Sequence, residues 1–286
     1  MAHSQALSKL IDILIKENAS DLHLSEGRHP TVRVAGFLVP LAQEVLLTRD
    51  VTEGFLKEMI SQDLYDQFAA NKELDFSFAY NEKARFRGNA FIQQGQVGIA
   101  LRLIPKSIRS LEELRFPPML GTFAEKKQGF FLVVGPVGQG KTTTLASMLE
   151  LINQTRAEHI ITIEDPIEYV FEQKKSIIDQ REVGIDTSSF EHALESALRQ
   201  DVDVLMIGEM RGHETMSAAV TAAETGHLVF ATLHTNNAAQ TIDRIIDSFP
   251  PNQQEQIRIQ LSSSLLGIFS QRLIPRISGG LIPAYE

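Results

Sequence analysis

The stretch "GPVGQGKTTT", residues 135–144, decides the fold of this chain because it matches the phosphate-loop pattern G-x-x-x-x-G-K-[ST]. It follows an apolar run and precedes a helical pattern, which is the setting that the motif requires. Glycines let backbone N–H groups wrap around phosphates, and the start of the helix adds its dipole. We expect Lys141 to reach the β- and γ-phosphates of ATP and the Thr142 hydroxyl to bind Mg²⁺. The predicted nucleotide-binding residues are Gly135, Pro136, Val137, Gly138, Gln139, Gly140, Lys141, Thr142 and Thr143.

Apolar, β-branched runs around this loop predict the strands of one sheet. They are "GFFLVVG" at 129–135, "HIITIED" at 159–165, "DVLMIGE" at 203–209 and "HLVFATLHT" at 227–235. Continuous apolar strands indicate a sheet that is covered on both faces, and the segments between them have helical spacing. The C-terminal part is therefore predicted to be an α/β domain with a mainly parallel sheet. Its ligands should gather at the carboxyl ends of the strands.

Acidic side chains stand at two of these predicted strand ends. Glu209 ends "DVLMIGE", where nucleotide hydrolases place the acid of the Mg²⁺ water shell, and we expect it to contact the metal through water. The segment "ITIEDPIE" offers Glu164, Asp165 and Glu168 as bases that orient the attacking water. We prefer Glu164 because it ends the strand, with Glu168 as the second choice.

Two histidines lie at opposite ends of one predicted strand, and their positions predict different roles. His234 lies at its carboxyl end, on the nucleotide side, and is predicted to sense the γ-phosphate. His227 lies seven residues earlier and is predicted to be structural. The remaining histidines show no metal-ligand spacing.

The first hundred residues have a different pattern. Residues 6–18 have helical spacing, "SDLHLS" alternates like a strand, and residues 85–104 read as a hairpin, which together predict a small α+β domain. The segment "PKSIRSLEELRFPPML" has three prolines and no sustained period, and it predicts the connection between domains. We assign residues 1–110 to the N-terminal domain, 111–120 to a linker and 121–286 to the ATPase domain.

The predicted hairpin has a consequence for two arginines. A two-residue turn on Gln94 and Gly95 places Arg87 directly opposite Arg102 on the neighbouring strand. Like charges in this arrangement destabilise a sheet. Either both side chains extend into solvent, or an anion lies between them.

The composition excludes several classes of protein. With 43% apolar and 22% charged residues the chain is globular, and no apolar run approaches the ~20 residues of a membrane span. The N-terminus lacks the features of a secretory signal, so we expect a cytoplasmic protein. The net charge of −9 gives no reason to expect nucleic-acid binding. The absence of cysteine excludes disulfides and thiolate zinc sites.

Four blocks in order carry a family resemblance. They are the phosphate loop, "ITIEDPIEYVF", "ALRQDVDVLMIGEMRG" and "AAETGHLVFATLHTNNAAQTIDRIIDSFPP". With "ASDLHLSEG", "ARFRGNAF" and "LRLIPKSIRSLEEL", the resemblance covers essentially the whole chain. The chain resembles the secretion and twitching-motility ATPases, and among them the retraction ATPases of type IV pili.

The resemblance implies a PAS-like N-terminal domain and a RecA-like P-loop ATPase domain. It implies a homohexamer at the cytoplasmic, inner-membrane base of the pilus machine. This hexamer would couple ATP hydrolysis to retraction through a platform protein. From the missing cysteines and the net charge we expect neither zinc nor nucleic acid as a partner. The residues that fall on the family's nucleotide site are Lys141, Thr142, Glu209, His234 and the acids of "EDPIE". Arg87 and Arg102 match segments whose arginines reach a neighbouring subunit's nucleotide, so we predict that both contact its γ-phosphate in trans.

The chain also departs from the family pattern. It reads "RQDV" and "GEMRG" where "RQDP" and "GEMRD" are usual, and we expect nucleotide binding to remain intact. It has no four-cysteine module like those of extension and type II secretion relatives. It stops at "LIPRISGGLIPAYE" without the C-terminal segment associated with retraction, which predicts a truncated or divergent sequence. Three alternatives stay open: a nucleotide-gated regulatory paralogue with little turnover, a pilus-extension or type II secretion ATPase, and a DNA-translocating relative.

Overall fold

The computed structural model describes residues 2–81, 83–105, 107–277 and 280–286. Contacts divide the chain into two compact units, with the boundary between residues 106 and 107. Within the described residues, neither unit has a helix that is both long enough and apolar enough to span a bilayer.

The first unit is an α+β structure with an antiparallel sheet. Its elements are α1 (Ala2–Lys16), β1 (Asp21–Ser25), β2 (Thr31–Val34), β3 (Phe37–Pro40), α2 (Arg49–Met59), α3 (Gln62–Asn71), β4 (Glu73–Tyr80), β5 (Ala84–Gln93) and β6 (Gln96–Ile104). The strands lie in the order β3-β2-β1-β6-β5-β4. Leu7, Leu10, Ile11 and Leu14 of α1 are buried, as the helical spacing predicts.

The hairpin of β5 and β6 has the predicted register. Its turn residues, Gln94 and Gly95, have φ angles of 50° and 79°, as a two-residue turn of the primed type requires. Arg87 pairs directly with Arg102. Because the buried Leu101 precedes it, Arg102 lies on the face of the sheet away from the core.

The second unit is built on a mainly parallel sheet. Its elements are α4 (Met119–Ala124), β7 (Gly129–Val134), α5 (Lys141–Thr155), β8 (His159–Glu164), β9 (Ile177–Glu182), α6 (Phe190–Ala197), β10 (Val204–Ile207), α7 (His213–Glu224), β11 (Leu228–Leu233), α8 (Ala238–Asp247), α9 (Gln254–Ser264), β12 (Leu265–Pro275) and β13 (Leu281–Tyr285). The strands lie in the order β13-β12-β7-β11-β10-β8-β9. The pairing of β12 with β13 is antiparallel, and the other pairings are parallel.

Alternate side chains of the parallel strands fill two separate cores. Leu132 and Val134 of β7 pack with α6, α7, α8 and α9, whereas Phe131 and Val133 pack with α4 and α5. Both faces of the sheet are therefore covered, which explains why its strands are apolar at successive positions. This confirms the predicted α/β class with a mainly parallel sheet.

Residues 111–120, predicted from the sequence to be a linker, lie within the second unit. Phe116 and Leu120 are buried there, in the core that contains α5. The segment after residue 106 therefore contributes to packing of the second unit.

Candidate active site

The phosphate loop joins the carboxyl end of β7 to the first turn of α5, as predicted. Gly138 and Gly140 have φ angles of 76° and 79°, a left-handed conformation that glycine adopts without strain. At Gly135 an added Cβ would lie only 2.3 Å from the Gln271 carbonyl oxygen. Two glycines are therefore required by the backbone conformation and a third by the close approach of β12.

Lys141 places a buried cation in this loop. Its Nζ donates to the carbonyl oxygens of Gly135 at 2.8 Å and Pro136 at 2.9 Å, and lies 3.3 Å from His234 Nδ1. Burial lowers the pKa of Lys141, and the carboxylates of Glu168 and Glu209 oppose that effect. Among the described residues it makes no ion pair with a carboxylate. A buried ammonium without a carboxylate partner fits a phosphate anion.

His234 connects Lys141 with Glu209. It follows β11, and its Nε2 lies 3.5 Å from Glu209 Oε2. Because the Lys141 ammonium can only donate, His234 Nδ1 accepts, which assigns the proton of a neutral ring to Nε2, facing the carboxylate. Arg211 also pairs with Glu209. Lys141, His234 and Glu209, at the ends of β7, β11 and β10, thus form a continuous series of side-chain contacts.

Glu164 ends β8 and is buried, with 3% of its surface exposed. Burial raises the pKa of Glu164 to about 7, although hydrogen bonds from Thr162 and Gln180 oppose the shift. Thr162 Oγ1 donates to Oε1 at 2.7 Å, and Gln180 Nε2 approaches the same oxygen at 3.2 Å. A carboxyl that changes charge near neutral pH is suited to general-base work.

Glu168 lies beside Glu164 but in a different environment. Its side chain is exposed, while its backbone N–H donates to Glu164 Oε2 at 3.3 Å. The Glu168 carboxylate also contributes to the raised pKa of Glu164. Of the two candidate bases, Glu164 is therefore the buried one.

Gln180 and Tyr169 hydrogen-bond with the acidic segment, and no sequence motif identifies either residue. Gln180 Nε2 donates to the Tyr169 carbonyl at 2.7 Å, and its Oε1 accepts from Phe171 N at 3.0 Å. The Tyr169 hydroxyl lies 2.8 Å from Thr143 Oγ1 at the start of α5. These contacts depend on β9 lying next to β8, a neighbour relationship that no local sequence pattern reveals.

A cavity of about 410 Å³ opens beside the phosphate loop. Gly140 and Thr143 form part of its wall, together with Arg115, Phe116 and Leu273. Its size lies in the ~300–1,000 Å³ range of small-molecule sites. Phe116 belongs to the segment predicted to be a linker, so the sequence pattern does not predict this wall.

Arg87 and Arg102 lie in the first unit, whereas the phosphate loop and its acids lie in the second. Arg102 Nε donates to Asp21 Oδ1 at 2.9 Å, and Arg33 Nε lies 3.8 Å from Oδ2. Burial raises the pKa of Asp21, but hydrogen bonds from Ser20 and Arg102 outweigh it and leave that pKa below its ordinary value. The anion beside Arg102 is therefore a carboxylate of the same chain, a partner that the sequence pattern does not indicate.

The remaining predicted residues keep places consistent with the motif. The Thr142 side chain is partly exposed in the first turn of α5, and Val137 is exposed in the loop. His227, predicted to be structural, lies just before β11, and its Nδ1 is 2.9 Å from the Ala222 carbonyl oxygen.

Comparison with known proteins agrees with this geometry. The family model described as "Type II/IV secretion system protein" matches residues 3–279. The chain is 45% identical to the type IV pilus retractation ATPase PilT of Pseudomonas aeruginosa, covering 98% of this chain and 81% of that protein. It is 44% identical to the type IV pilus ATPase PilU of the same species, covering 95% and 71%.

A solved structure extends the agreement to three dimensions. A crystal structure of the pilus retraction motor PilT with bound ADP is 50% identical to this chain, with a TM-score of 0.93. The superposition covers 97% of this chain and 81% of that one. The family match spans both units and the site at the strand ends. The chain therefore belongs to the type II/IV secretion system protein family.

Proposed function

We infer that this chain is a motor ATPase of type IV pilus retraction, the machinery of twitching motility. The observation that carries the inference is the convergence of Lys141, Glu164, Glu209 and His234 at the carboxyl ends of four neighbouring strands. The names of the PilT relatives support the retraction role, and the ADP-bound PilT structure supports nucleotide binding.

ATP binding is assigned to the phosphate loop and the cavity beside it. The backbone N–H groups of residues 135–143 and the N-terminus of α5 suit the phosphates. Lys141 would exchange its two carbonyl partners for phosphate oxygens. The cavity against Phe116 and Leu273 is the right size for the nucleoside.

Mg²⁺ is the cofactor that the donor set suits. Thr142 would contribute its hydroxyl, and Glu209 would contact the metal through water. The described residues contain no cluster of three or more His, Asp or Glu side chains that could hold a metal. When bound, Mg²⁺ neutralises charge on the phosphates.

Proton transfer is assigned to Glu164. Its buried carboxyl is held by Thr162 and Gln180, so it is oriented before substrate arrives. Glu168 stays the second choice because it is nearby but exposed. His234, held between Lys141 and Glu209, is the residue that we assign to sensing the γ-phosphate.

A homohexamer and an inner-membrane platform protein are proposed as the partners. In this arrangement the chain works as a peripheral protein at the cytoplasmic face of the pilus base. The main alternative is a nucleotide-gated regulatory protein with little turnover. The presence of both Glu164 and Glu209 at the strand ends favours the enzyme, because a protein that only gates would not need a base.

Complementation of a bacterium that lacks its own retraction ATPase tests the proposed function. We expect the wild-type chain to restore pilus retraction and twitching, and Lys141→Ala to fail. Lys127→Ala is the matched control, because Lys127 is exposed and precedes the amino end of β7. A chain that hydrolyses ATP when purified but never restores retraction would contradict the retraction role.

Mixing two inactive variants tests whether the arginines act in trans. Arg102→Ala alone is expected to lower ATP turnover by ~10³-fold, as removal of an arginine finger does. In a ring, however, Lys141→Ala and Arg102→Ala subunits can form sites that combine an intact loop with an intact arginine. We therefore expect partial recovery of phosphate release when the two proteins exchange subunits.

Two further variants control this experiment. Arg87→Ala should behave like Arg102→Ala while leaving the ion pair with Asp21 intact. Arg49→Ala removes an exposed arginine of the same unit and should keep full activity. The role in trans is wrong if subunits exchange and phosphate release does not return.

A further inference from the structure

Strand β12 lies against the phosphate loop from outside the motif. It runs parallel to β7, with Ser270 opposite Val134, the last residue of that strand. The next residue, Gln271, therefore stands where β7 gives way to the loop. Its side chain is deeply buried, with 1% exposure, and the catalytic roles assigned above do not use it.

The Gln271 side chain connects the loop with the helix that follows it. Its Nε2 donates to the Gln139 carbonyl oxygen at 2.7 Å, and its Oε1 accepts from Thr144 Oγ1 at 2.6 Å. A reciprocal bond runs from Leu273 N to Gln139 Oε1 at 2.7 Å. Residue 139 is thus attached to β12 through both its backbone and its side chain.

This attachment fixes the orientation of one peptide group in the loop. In a planar trans peptide the C=O and N–H point in opposite directions. Because the Gln139 carbonyl is held towards β12, the N–H of Gly140 points away from that strand. The N-cap of α5 is Gly140, which has no side chain that could cap the helix.

Close packing adds to the same restraint. An added Cβ at Gly135 would lie 2.3 Å from the Gln271 carbonyl oxygen, and one at Gly140 would lie 3.1 Å from Gln271 Nε2. Gly135 and Gly140, the first and last glycines of the loop, therefore both pack closely against Gln271 of β12.

We propose that Gln271 is a positioning residue that holds the phosphate loop in its nucleotide-binding shape. The proposal rests on the proposed function in that the loop is taken to bind a nucleotide. Gln271 orients the peptide group between Gln139 and Gly140 and connects it to Thr144. The N–H groups of the loop are therefore oriented for the phosphates before the nucleotide binds. Loss of the Gln271 side chain should lower nucleotide affinity more than a comparable loss of thermal stability elsewhere in the fold does.

The main test is the dissociation constant of a fluorescent ADP analogue for the purified Gln271→Leu chain. We expect an increase of about tenfold or more, because two side-chain hydrogen bonds to the loop region are lost. The matched control is Asn153→Leu, which also removes a buried side-chain amide. The Asn153 amide makes three hydrogen bonds. Asn153 lies twelve residues along α5 from Lys141, about 18 Å at the helical rise.

The two variants are compared at similar loss of melting temperature. We expect Asn153→Leu to leave the dissociation constant within about twofold of wild type. The proposal is overturned if Gln271→Leu also stays within twofold, or if both variants weaken binding equally, since either result assigns Gln271 a purely structural role.

Two milder variants keep the test valid if Gln271→Leu does not fold. Gln271→Glu keeps an acceptor for Thr144 but can place a carboxylate oxygen against the Gln139 carbonyl, so it should weaken ADP binding. Thr144→Val removes the other hydrogen bond to Gln271 and should also weaken ADP binding. The proposal is overturned if both variants fold and bind ADP within about twofold of wild type.

Failure of the proposed function gives a different result in the same assay. If the wild-type chain does not bind the ADP analogue, or if Lys141→Ala binds it as tightly as wild type, the nucleotide site itself is wrong. If wild type binds, Lys141→Ala does not, and Gln271→Leu binds normally, only the role of Gln271 is wrong.

Discussion

Lys141→Ala is expected to lower ATP hydrolysis by ~10²-fold or more, the scale seen when a single preorganised donor to a developing charge is lost. Lys141 brings a buried cation into the loop, and its partners there are two carbonyls and an imidazole. Removing it leaves the β- and γ-phosphates without a positive side chain from this loop. Phosphate release measured at saturating ATP checks the expectation.

Lys127→Ala controls for the loss of a lysine charge. It is exposed and lies before β7 at the end remote from the loop, so its activity should equal that of wild type. If Lys141→Ala keeps more than about a tenth of wild-type turnover, the assignment of the phosphate loop is wrong.

Glu164→Gln is expected to reduce turnover by ~10²–10⁴-fold, the usual contribution of a general base. The glutamine keeps the size of the side chain but cannot accept the proton. Glu168→Gln, a change at the exposed neighbouring acid, should cost much less. The reverse order of the two rates would transfer the role of base to Glu168.

The pH dependence of wild-type turnover follows from the same carboxyl. Since the pKa of Glu164 is raised to about 7, the rate should fall as pH drops below 7 and level off above it. A rate that stays constant from pH 8 to pH 5 would contradict this role, because the base would be protonated over much of that range.

Stability should show the opposite trend. The pKa of Glu164 in the folded chain lies above its ordinary value of 4.5, so its stabilising contribution is complete below pH 4.5 and is lost as pH rises through 7. The glutamine of Glu164→Gln does not titrate. The melting temperature of the variant minus that of wild type should therefore increase from pH 5 to pH 8, as thermal unfolding can measure.

The parts of the site that were predictable are those encoded in consecutive residues. The phosphate loop is a single stretch, and Glu164, Glu209 and His234 each end an apolar run. Parallel strands place their carboxyl ends at one edge of a sheet, so these residues could be brought together without knowing the strand order. The Arg87–Arg102 pairing was predictable for the same reason, because a two-residue turn fixes its own register.

The supporting residues depend on contacts between distant segments. Gln271 reaches the loop because β12 lies beside β7, and Gln180 reaches Glu164 because β9 lies beside β8. Asp21 pairs with Arg102 because β1 lies beside β6. Each pair is joined by a long connection whose course the sequence pattern does not specify. The residues that flank Gln271, Gln180 and Asp21 in the sequence do not indicate which distant residues these polar side chains contact.

Steady-state phosphate release by the purified wild-type chain, with excess ATP and Mg²⁺, tests the central claim most directly. The claim is that the ends of β7, β8, β10 and β11 form a site that turns ATP over, and it predicts many phosphates released per chain at a constant rate. Release of no more than one phosphate per chain, with nucleotide still bound, would contradict it and identify a nucleotide-gated protein instead.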